Sequence, residues 1–360
     1  MRLGSGRTSG SDAKLRRSRP DGATRSRATD MGGPSSGLMA GQADRQKGMD
    51  LWQRGQWYSG PYRLVNRPEP LTVSLSPFRV KGSVSPDTFG SMVIEKRLFE
   101  ALGGECELYA IGLPPERLAT AEAWVHAMHD RLTRFTAHSE LSRFNSSAGD
   151  WAEVSPLLEA LLRECLRAHQ LSDGLVNAAV LPALLAAGYT RTFSEGPTAA
   201  TMTVRPPSLP EVLEVRSGSA RLRPGAAIDL GGIAKGWLAD RLAEDLGENV
   251  LVNLCGDLFA RGVGESGEGW PVGMGSDTVL LHDMGAATSG TRKRSWGEGL
   301  HHLIDPRTGV PAASDLNEVS VIARTGADAE VFAKAALLLG SAAAPEYLRA
   351  HGALGWRLSP

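Results

Sequence analysis

The chain has 360 residues, of which 42% are apolar, and a formal net charge of -1, as expected for a soluble globular protein. No apolar run is long enough to span a bilayer, and no apolar stretch follows Arg16-Arg17 as an export signal would require, so we expect a cytoplasmic protein without a transmembrane segment. The cysteines Cys106, Cys165 and Cys255 are odd in number and far apart in sequence, which argues against a disulfide framework and against a zinc site.

The N-terminal segment differs in composition from the rest of the chain. Residues 1–66 are rich in Ser, Gly and Arg, and hardly any aliphatic side chain occurs before Leu51. Such a segment cannot bury enough apolar surface to offset the entropy lost on ordering. We therefore predict a disordered basic tail over residues 1–66, solvated and not bound to nucleic acid, followed by a single domain over residues 67–360.

Apolar periodicity predicts the regular elements of that domain. Strands are predicted at residues 71–80, 105–111, 220–223, 227–230, 250–254, 271–274, 279–282, 303–304, 319–323 and 354–358. Helices are predicted at residues 116–134, 156–171, 327–339 and 343–351, the second with Ser155 as its N-cap. Several strands follow one another without an intervening helix, so we predict an α+β fold with a largely antiparallel sheet and packed helices.

Three segments carry less regular patterns. Residues 134–145 are polar and rich in side chains that cap helices, and residues 175–189 suit a buried loop with a short helix. Residues 190–219 are rich in Pro, Thr and Ser, which predicts an inserted surface region.

Residues 227–237 combine a short apolar strand, the hinge Gly231-Gly232 and the start of an amphipathic helix. A helix N-terminus attracts anions through its unpaired N–H groups, and Lys235 adds a full positive charge beside it. The segment therefore fits a phosphate-binding site. An ordinary glycine turn followed by a surface lysine remains the alternative.

Two further strand ends carry small polar residues. The stretch Asn-Leu-Cys-Gly-Asp at residues 253–257 is interpreted as a turn, although Asp257 could bind a ligand. The hydroxyls of Thr288 and Ser289 precede Gly290 and suit either phosphate oxygens or a turn.

Two more motifs carry groups able to take part in chemistry. His301 and His302 open a segment that continues as Leu-Ile-Asp-Pro-Arg-Thr-Gly, and histidine can move protons near neutral pH. Glu330 and Lys334 are spaced i,i+4 and could form an ordinary helical ion pair. The rest of their helix is apolar and rich in alanine, which favours a functional role for the pair over a surface contact.

In order along the chain, these motifs resemble those of the FAD:protein FMN transferases, also called the ApbE family. The family's Asp-Leu-Gly-Gly-Ile-Ala-Lys-Gly is present at residues 229–236, and its Ala-Thr-Ser-Gly at residues 287–290. Its Ser-Glu-Ile-Ser-Arg-Leu-Asn corresponds to Ser-Glu-Leu-Ser-Arg-Phe-Asn at residues 139–145. Its His-Ile-Ile-Asp-Pro-Arg-Thr-Gly corresponds to residues 302–309, with Leu303 in place of the first Ile.

The resemblance implies an α+β fold related to the T-fold and a bound FAD. It implies Mg²⁺-dependent transfer of FMN from FAD to a Thr or Ser hydroxyl of an acceptor flavoprotein, with release of AMP. His302 and Lys235 would be catalytic. The positions that match the family's FAD contacts are Leu102, Phe135, Asn145, Asn177, Asp229, Lys235, Thr288, His302 and Leu303.

The metal positions depart from the family pattern. The family ligates Mg²⁺ through Asp and Thr spaced i,i+4 and a backbone carbonyl; here these positions are Glu330, Lys334 and Gly232. A charged lysine has no lone pair for a metal. We therefore hypothesise that Lys334, held by Glu330, replaces the metal cation and weakens the Mg²⁺ requirement.

Other functions remain open on the sequence alone. A FAD pyrophosphatase would use water in place of the acceptor hydroxyl, and a non-catalytic protein would bind FAD without turnover. A dinucleotide-dependent oxidoreductase is disfavoured because no strand–GxGxxG–helix unit with a downstream acidic residue is present.

Overall fold

The structure is a computed structural model that describes residues 94–360 apart from Glu298. The predicted tail over residues 1–66 and the predicted strand at residues 71–80 lie outside the described residues. Within that range the α+β class is confirmed by helices packed on a large antiparallel sheet. No helix in the described part of the chain is long and apolar enough to cross a bilayer.

Short strands predominate among the elements of residues 94–360, and the helices lie between groups of them. The strands are β1 Ile94–Ala101, β2 Gly104–Ile111, β3 Ala152–Glu153, β4 Leu213–Arg216, β5 Ser219–Leu222, β6 Val250–Leu254, β7 Asp257–Arg261, β8 Trp270–Met274, β9 Asp277–Leu281, β10 Met284–Gly290, β11 Ser295–Trp296, β12 Leu300–His301, β13 Ile304–Asp305, β14 Val310–Pro311, β15 Glu318–Ala323 and β16 Gly355–Ser359. The α-helices are α1 Pro115–Leu132, α2 Glu140–Ser146, α3 Pro156–Leu171, α4 Leu181–Ala186, α5 Leu209–Val212, α6 Ala234–Leu246 and α7 Gly326–Ala350.

A seven-stranded sheet in the order β1-β2-β6-β7-β10-β15-β16 forms the centre of residues 94–360. Each neighbouring pair is antiparallel. Side chains alternate between its faces, as the two-residue repeat of a strand requires. In β6, Val250, Val252 and Leu254 enter the larger core, whereas Leu251 enters the smaller core beneath the β8–β9 hairpin. Both faces of the sheet are therefore covered.

The larger core lies under α6 and α7, and the two helices meet at their N-terminal ends. Gly236 and Gly326 lie so close that a Cβ at Gly236 would be 2.3 Å from the carbonyl oxygen of Gly326. The Asp240 carboxylate accepts hydrogen bonds from the N–H groups of Gly326 (2.6 Å) and Ala327 (3.0 Å). This contact places the first turns of the two helices side by side, and with them Lys235 and Glu330.

The predicted strand at residues 227–230 is wrong. These residues belong to no strand, and the amide side chain of Asn145 takes the place of a neighbouring strand. It donates to the Ile228 carbonyl and accepts from the Ile228 N–H, both at 2.9 Å, and the Asp229 N–H donates to the Ala178 carbonyl. The strands β1, β7 and β10 were not predicted.

Three other segments differ from the elements predicted for them. The unpredicted helix α2 begins within residues 134–145, and its first turn is capped by Ser139, which accepts a hydrogen bond from the Ser142 N–H. The predicted helices at 327–339 and 343–351 form one element interrupted at Gly340, where φ is 75°. The predicted surface region at 190–219 also contains α5 and β4.

Candidate active site

A cleft of about 2560 Å³ opens at one end of the central sheet. The turns β1–β2 and β6–β7, the end of β10 and the start of α6 all contribute to its walls. Part of this volume lies beneath the β8–β9 hairpin, where Trp270, Val272 and Met274 also line the cavity. The predicted site residues that line it are Leu102, Phe135, Asn177, Asp229, Gly232, Lys235, Thr288, His302, Leu303 and Lys334.

Four buried charges meet where α6 begins. The Lys235 ammonium forms ion pairs with the Asp257 carboxylate and, at 2.8 Å, with Glu330 Oε1. Lys334 Nζ lies 3.6 Å from the same Glu330 oxygen. The side chains are 12%, 6%, 0% and 16% exposed for Lys235, Asp257, Glu330 and Lys334. We call these four residues the charge cluster; two cations and two anions make it neutral when all are ionised.

The electrostatics of the charge cluster follow from burial and from these contacts. Burial opposes the charged form of Lys235, but Asp257 and Glu330 outweigh it and raise the pKa of Lys235. Burial also opposes ionisation of Glu330, and the two lysines reverse this and lower the Glu330 pKa. Burial and the neighbouring Glu330 raise the pKa of Asp257 to about 6, against the effect of Lys235. Burial lowers the pKa of Lys334, with Glu330 opposing.

The predicted metal-ligand side chains of the charge cluster, Glu330 and Lys334, have no free ligand atom for Mg²⁺. Both Glu330 oxygens are engaged, Oε1 by the lysines and Oε2 by the Gly236 N–H at 2.9 Å. A Cβ at Gly232 would lie 3.1 Å from Cε of Lys334, so the lysine side chain packs against Gly232, the residue whose carbonyl was the third predicted ligand. Among the described residues, no group of three or more His, Cys, Asp or Glu side chains could hold a metal ion.

The wall formed by α1 and its C-terminal loop carries aromatic rings around a buried cation. The Arg134 guanidinium lies 4.2 Å from the Phe135 ring centroid and 4.6 Å from that of Tyr189. Its Nε pairs with Asp229 Oδ1 at 3.1 Å, and its Nη2 donates to the Tyr189 carbonyl at 2.8 Å. The Trp296 ring lies 5.5 Å beyond Tyr189. We call Arg134, Phe135, Tyr189 and Trp296 the aromatic cluster.

Two of the residues predicted to contact FAD, Asn145 and Asn177, form hydrogen bonds within the protein. Asn145 is absent from the cleft wall and holds the backbone of Ile228, the residue before Asp229. Asn177 lines the cleft, but its amide donates to the Pro207 carbonyl and accepts from the Ala179 N–H, both at 2.9 Å. Their contact with FAD stays a prediction; the observed contacts fix the loops that present Asp229.

Thr288 and the β1–β2 turn lie on the sheet side of the cleft. The Thr288 hydroxyl is 2.9 Å from the hydroxyl of Ser320 on β15, so two hydroxyls face the cleft together. Leu102 has a φ of 54°, and its N–H donates to His129 Nδ1 at 2.9 Å. Arg294 bridges the mouth by donating to the Gly103 carbonyl at 2.9 Å.

His302 lies half-buried in the cleft, and its Nδ1 is 3.4 Å from the Arg294 carbonyl oxygen. Burial, reinforced by the positive charges of Arg294 and Lys334, lowers the pKa of His302 to about 3. The imidazole is therefore neutral near pH 7. His301 instead fixes the loop, since its Nδ1 accepts the Leu303 N–H at 3.2 Å.

Comparison with known proteins identifies the family of this site. The sequence profile of the ApbE family matches residues 102–355, which is most of the chain. The chain belongs to the ApbE family.

Relatives with curated names resemble this ApbE-family chain at low identity. The FAD:protein FMN transferase of Salmonella typhimurium is 25% identical over 289 residues, which cover 70% of this chain and 81% of that protein. The FAD:protein FMN transferase of Treponema pallidum is 31% identical over 237 residues, covering 56% and 65%.

Solved structures support the ApbE fold. The flavinyl transferase ApbE of Pseudomonas stutzeri, in its apo form, superposes with a TM-score of 0.64 at 19% identity over 74% of this chain and 94% of that one. The ApbE protein of Thermotoga maritima superposes with a TM-score of 0.62 at 21% identity over 72% and 93%.

Sequence reasoning missed several residues of this ApbE-family cleft. Arg134 and Tyr189 are distant in sequence and become neighbours only through the fold, and no local pattern marks either of them. The local pattern around Asp257 indicates a turn residue, although its carboxylate pairs with Lys235. A lysine buried at the start of α6 requires a counter-ion, and this requirement could have indicated that an acidic side chain such as Asp257 pairs with it.

Proposed function

We propose that this ApbE-family chain transfers FMN from FAD to a Thr or Ser hydroxyl of an acceptor flavoprotein and releases AMP. The observation that carries the proposal is that motifs up to about 230 residues apart contribute Leu102, Asp229, Lys235, His302 and Lys334 to one cleft. The names of the curated relatives support the same reaction. The cytoplasmic location predicted from the sequence stays a prediction.

Two groups of cleft residues suit the two parts of FAD. The Phe135 and Tyr189 rings line the cleft and can contact an isoalloxazine, because flat rings pack with offset or tilted geometry at centroid distances of about 4.5–7 Å. The start of α6 with Lys235 and Lys334 offers positive charge to the diphosphate. A single extended dinucleotide can therefore contact both.

The transfer exchanges one P–O bond for another. The acceptor oxygen bonds to the FMN phosphorus, the bond from that phosphorus to the AMP oxygen breaks, and the hydroxyl proton leaves to a base. Charge accumulates on the phosphate oxygens and on the leaving AMP, and fixed cations stabilise it. Lys235, whose pKa is raised by Asp257 and Glu330, supplies such a cation across the neutral pH range.

His302 is our proposed proton acceptor. It is neutral at pH 7 and so has a free lone pair, but a pKa of about 3 makes it a weak base in the ligand-free cleft. A bound diphosphate would bring negative charge beside it and raise its pKa towards the useful range. Binding of FAD would thus activate the base.

We propose that Lys334 replaces the Mg²⁺ ion of the family. Its ammonium lies beside Glu330 and against Gly232, the positions that match the family's metal ligands. A diphosphate nearby favours the protonated form of Lys334 and so opposes the effect of burial on its pKa. No step of the proposed reaction in this chain runs through a metal.

The deciding experiment incubates the full chain with FAD and an acceptor peptide containing Ser and Thr, in Mg²⁺ or in chelator, and measures peptide mass. We expect an FMN adduct in both conditions. Release of FMN and AMP without an adduct would instead indicate a pyrophosphatase. Bound but unchanged FAD would indicate a binding protein.

A pair of variants tests the lysine substitution. The double variant Glu330→Asp with Lys334→Thr restores the family's ligand types, and we expect it to transfer FMN in Mg²⁺ but not in chelator. The matched control Lys334→Met removes the charge without adding a ligand, and we expect it to be inactive in both. Activity of wild type that disappears in chelator and returns with Mg²⁺ would refute the substitution.

A further inference from the structure

Two cysteines that are distant in sequence are neighbours beneath the cleft. Cys106 lies on β2 and is fully buried, and Cys255 lies in the β6–β7 turn and lines the cleft. Their sulfur atoms are 3.8 Å apart. Cys165 is buried on α3 and belongs to neither element. Widely spaced cysteines thus form a dithiol pair, which their sequence positions did not indicate.

Both thiols point at the same backbone carbonyl. Cys255 Sγ lies 3.3 Å and Cys106 Sγ 3.6 Å from the Ala101 oxygen. Ala101 is the last residue of β1 and precedes Leu102, which lines the cleft in a left-handed conformation. The dithiol therefore supports the turn that forms one wall of the cleft.

We propose that Cys106 and Cys255 are an oxidation site at which a peroxide forms a reversible disulfide, and that this disulfide weakens binding of FAD in the cleft. The second half of this inference rests on the proposed function; the first half does not. The disulfide itself involves only the sulfur atoms of these two residues.

The geometry suits the bond. A disulfide requires sulfur atoms about 2.05 Å apart, so the pair needs to close by about 1.8 Å, a distance that side-chain rotation can supply. Cys106 faces Leu254 in the β2–β6 register, and Cys255 is the next residue, so the backbones are already adjacent. Exposed or strained disulfides are the ones that are readily reduced.

The two thiols differ in the way the reaction requires. The hydrogen bond from Cys106 and the positive charge of Lys235 lower the pKa of Cys255, against the effect of burial. Hydrogen bonding to Cys255 and burial raise the pKa of Cys106. Cys255, which lines the cleft, is thus the thiol that reacts first.

The chemistry proceeds in two balanced steps. The Cys255 thiolate attacks one peroxide oxygen, the O–O bond breaks, and Cys255 becomes a sulfenic acid as hydroxide leaves. The Cys106 sulfur then attacks the Cys255 sulfur, and the hydroxyl group leaves as water with the Cys106 proton. Two thiols are oxidised by two electrons, and one peroxide is reduced to water.

The bond acts on the cleft by removing hydrogen-bond donors. A disulfide has no S–H group, so the buried Ala101 carbonyl loses the thiol hydrogen bond that the dithiol donates to it. The turn at Leu102 must then readjust. We expect FAD to bind at least about fivefold more weakly to the oxidised protein, the lower end of typical couplings between two sites.

The first measurement treats the full chain with hydrogen peroxide and counts free thiols after denaturation. The reduced chain has three cysteines. We expect one free thiol after oxidation and a peptide mass that joins Cys106 to Cys255, both reversed by dithiothreitol. In Cys106→Ser, we expect a sulfenic acid at Cys255 and no disulfide.

The second measurement compares FAD affinity between reduced and oxidised protein. Cys106→Ser keeps a hydroxyl donor beside Ala101, so before treatment its affinity should equal that of reduced wild type. By linkage, a fivefold change in affinity corresponds to about 21 mV in the dithiol potential with saturating FAD, from 29.6 mV per tenfold. FAD should shift the potential in the direction that favours the dithiol.

Three results separate the possibilities. A free-thiol count that stays unchanged, or a bond that includes Cys165, overturns the oxidation site. A Cys106–Cys255 bond with unchanged FAD affinity overturns its effect on the cleft. Reduced protein that does not bind FAD overturns the proposed function and the coupling, while the bond remains measurable by mass. If Cys106→Ser has a lower unfolding temperature than wild type, the dithiothreitol-reversed wild type serves as the control.

Discussion

The charge cluster and the aromatic cluster lie in the same cleft but differ in how their charges are held. The charge cluster is neutral within itself, and its carboxylates are almost fully buried. In the aromatic cluster a single cation, Arg134, contacts two rings and pairs with the partly exposed Asp229. In the first arrangement the buried carboxylates are compensated only within the cluster, whereas in the second the Asp229 side chain is 20% exposed and water can solvate it.

This difference suggests a division of labour. A fixed array in which two carboxylates hold two lysines in place suits a diphosphate whose charge changes during reaction, since preorganised charges need no reorientation. A stacked guanidinium among aromatic rings suits a planar group that enters and leaves. Two ligands that each contain one half of FAD, ADP and riboflavin, can separate the two clusters experimentally.

The largest effect is expected for Lys235→Met. It removes the cation at the start of α6 and leaves Asp257 and Glu330 with one lysine between them, so FMN transfer should fall about 10²–10³-fold. ADP affinity should fall, and riboflavin affinity should not. Folding should lose about 3–5 kcal/mol, measured by urea denaturation. Lys96→Met, on β1, is the matched control. Equal losses of ADP and riboflavin affinity in Lys235→Met would contradict the proposed division of labour between the two clusters.

Arg134→Met should have the reverse ligand pattern. It removes the stacked cation and the partner of Asp229, so we expect riboflavin affinity to fall about tenfold, or about 1.4 kcal/mol, with little change for ADP. Fluorescence quenching of riboflavin measures the first and calorimetry the second. Arg163→Met, which breaks only the exposed pair with Glu159, should change neither. A larger loss for ADP than for riboflavin would contradict the assignment.

Asp257→Asn should tighten FAD binding about three- to fivefold at pH 7, because the charge cluster gains a net positive charge. In wild type the pKa of Asp257 is about 6, so the same gain should develop as pH falls from 7 to 5, and the variant should lack this trend. Its folded pKa lies above the ordinary 3.8, so the carboxyl stabilises the fold below pH 4 and loses that contribution as pH rises through 6. Burial raises the pKa of Asp240 to about 7, but Asp240 is present in both wild type and variant, so its titration does not contribute to the difference between them.

The smallest effect is expected for Phe135→Tyr. The ring keeps its contacts with Arg134 and Tyr189, so FAD affinity should stay within about twofold. Phe135→Ala removes the ring and should weaken riboflavin more than ADP. A large gain from the added hydroxyl would show that the ring end depends on a hydrogen bond and not on stacking.

The elements with strong local signals were predictable from sequence. Ser155 and Pro156 begin α3 as predicted, because a capping hydroxyl and a fixed proline φ act locally. The predicted strand at residues 227–230 was wrong because an apolar run does not specify its hydrogen-bond partner, which is the Asn145 side chain. Strand β10 was missed because glycine and alanine give no two-residue alternation, although it pairs with β7 and β15.

Contiguous residues, or their order along the chain, were enough to establish the family, the α+β class, the motifs at residues 229–236 and 302–309, and the presence of a lysine where a metal ligand was expected. Packing alone established that Lys235 is shared between Asp257 and Glu330, that Arg134 contacts both Phe135 and Tyr189, and that Cys106 lies beside Cys255. Burial and charge pairing depend on distances between strands and helices far apart in the chain, and those distances exist only once the sheet and its helices have come together.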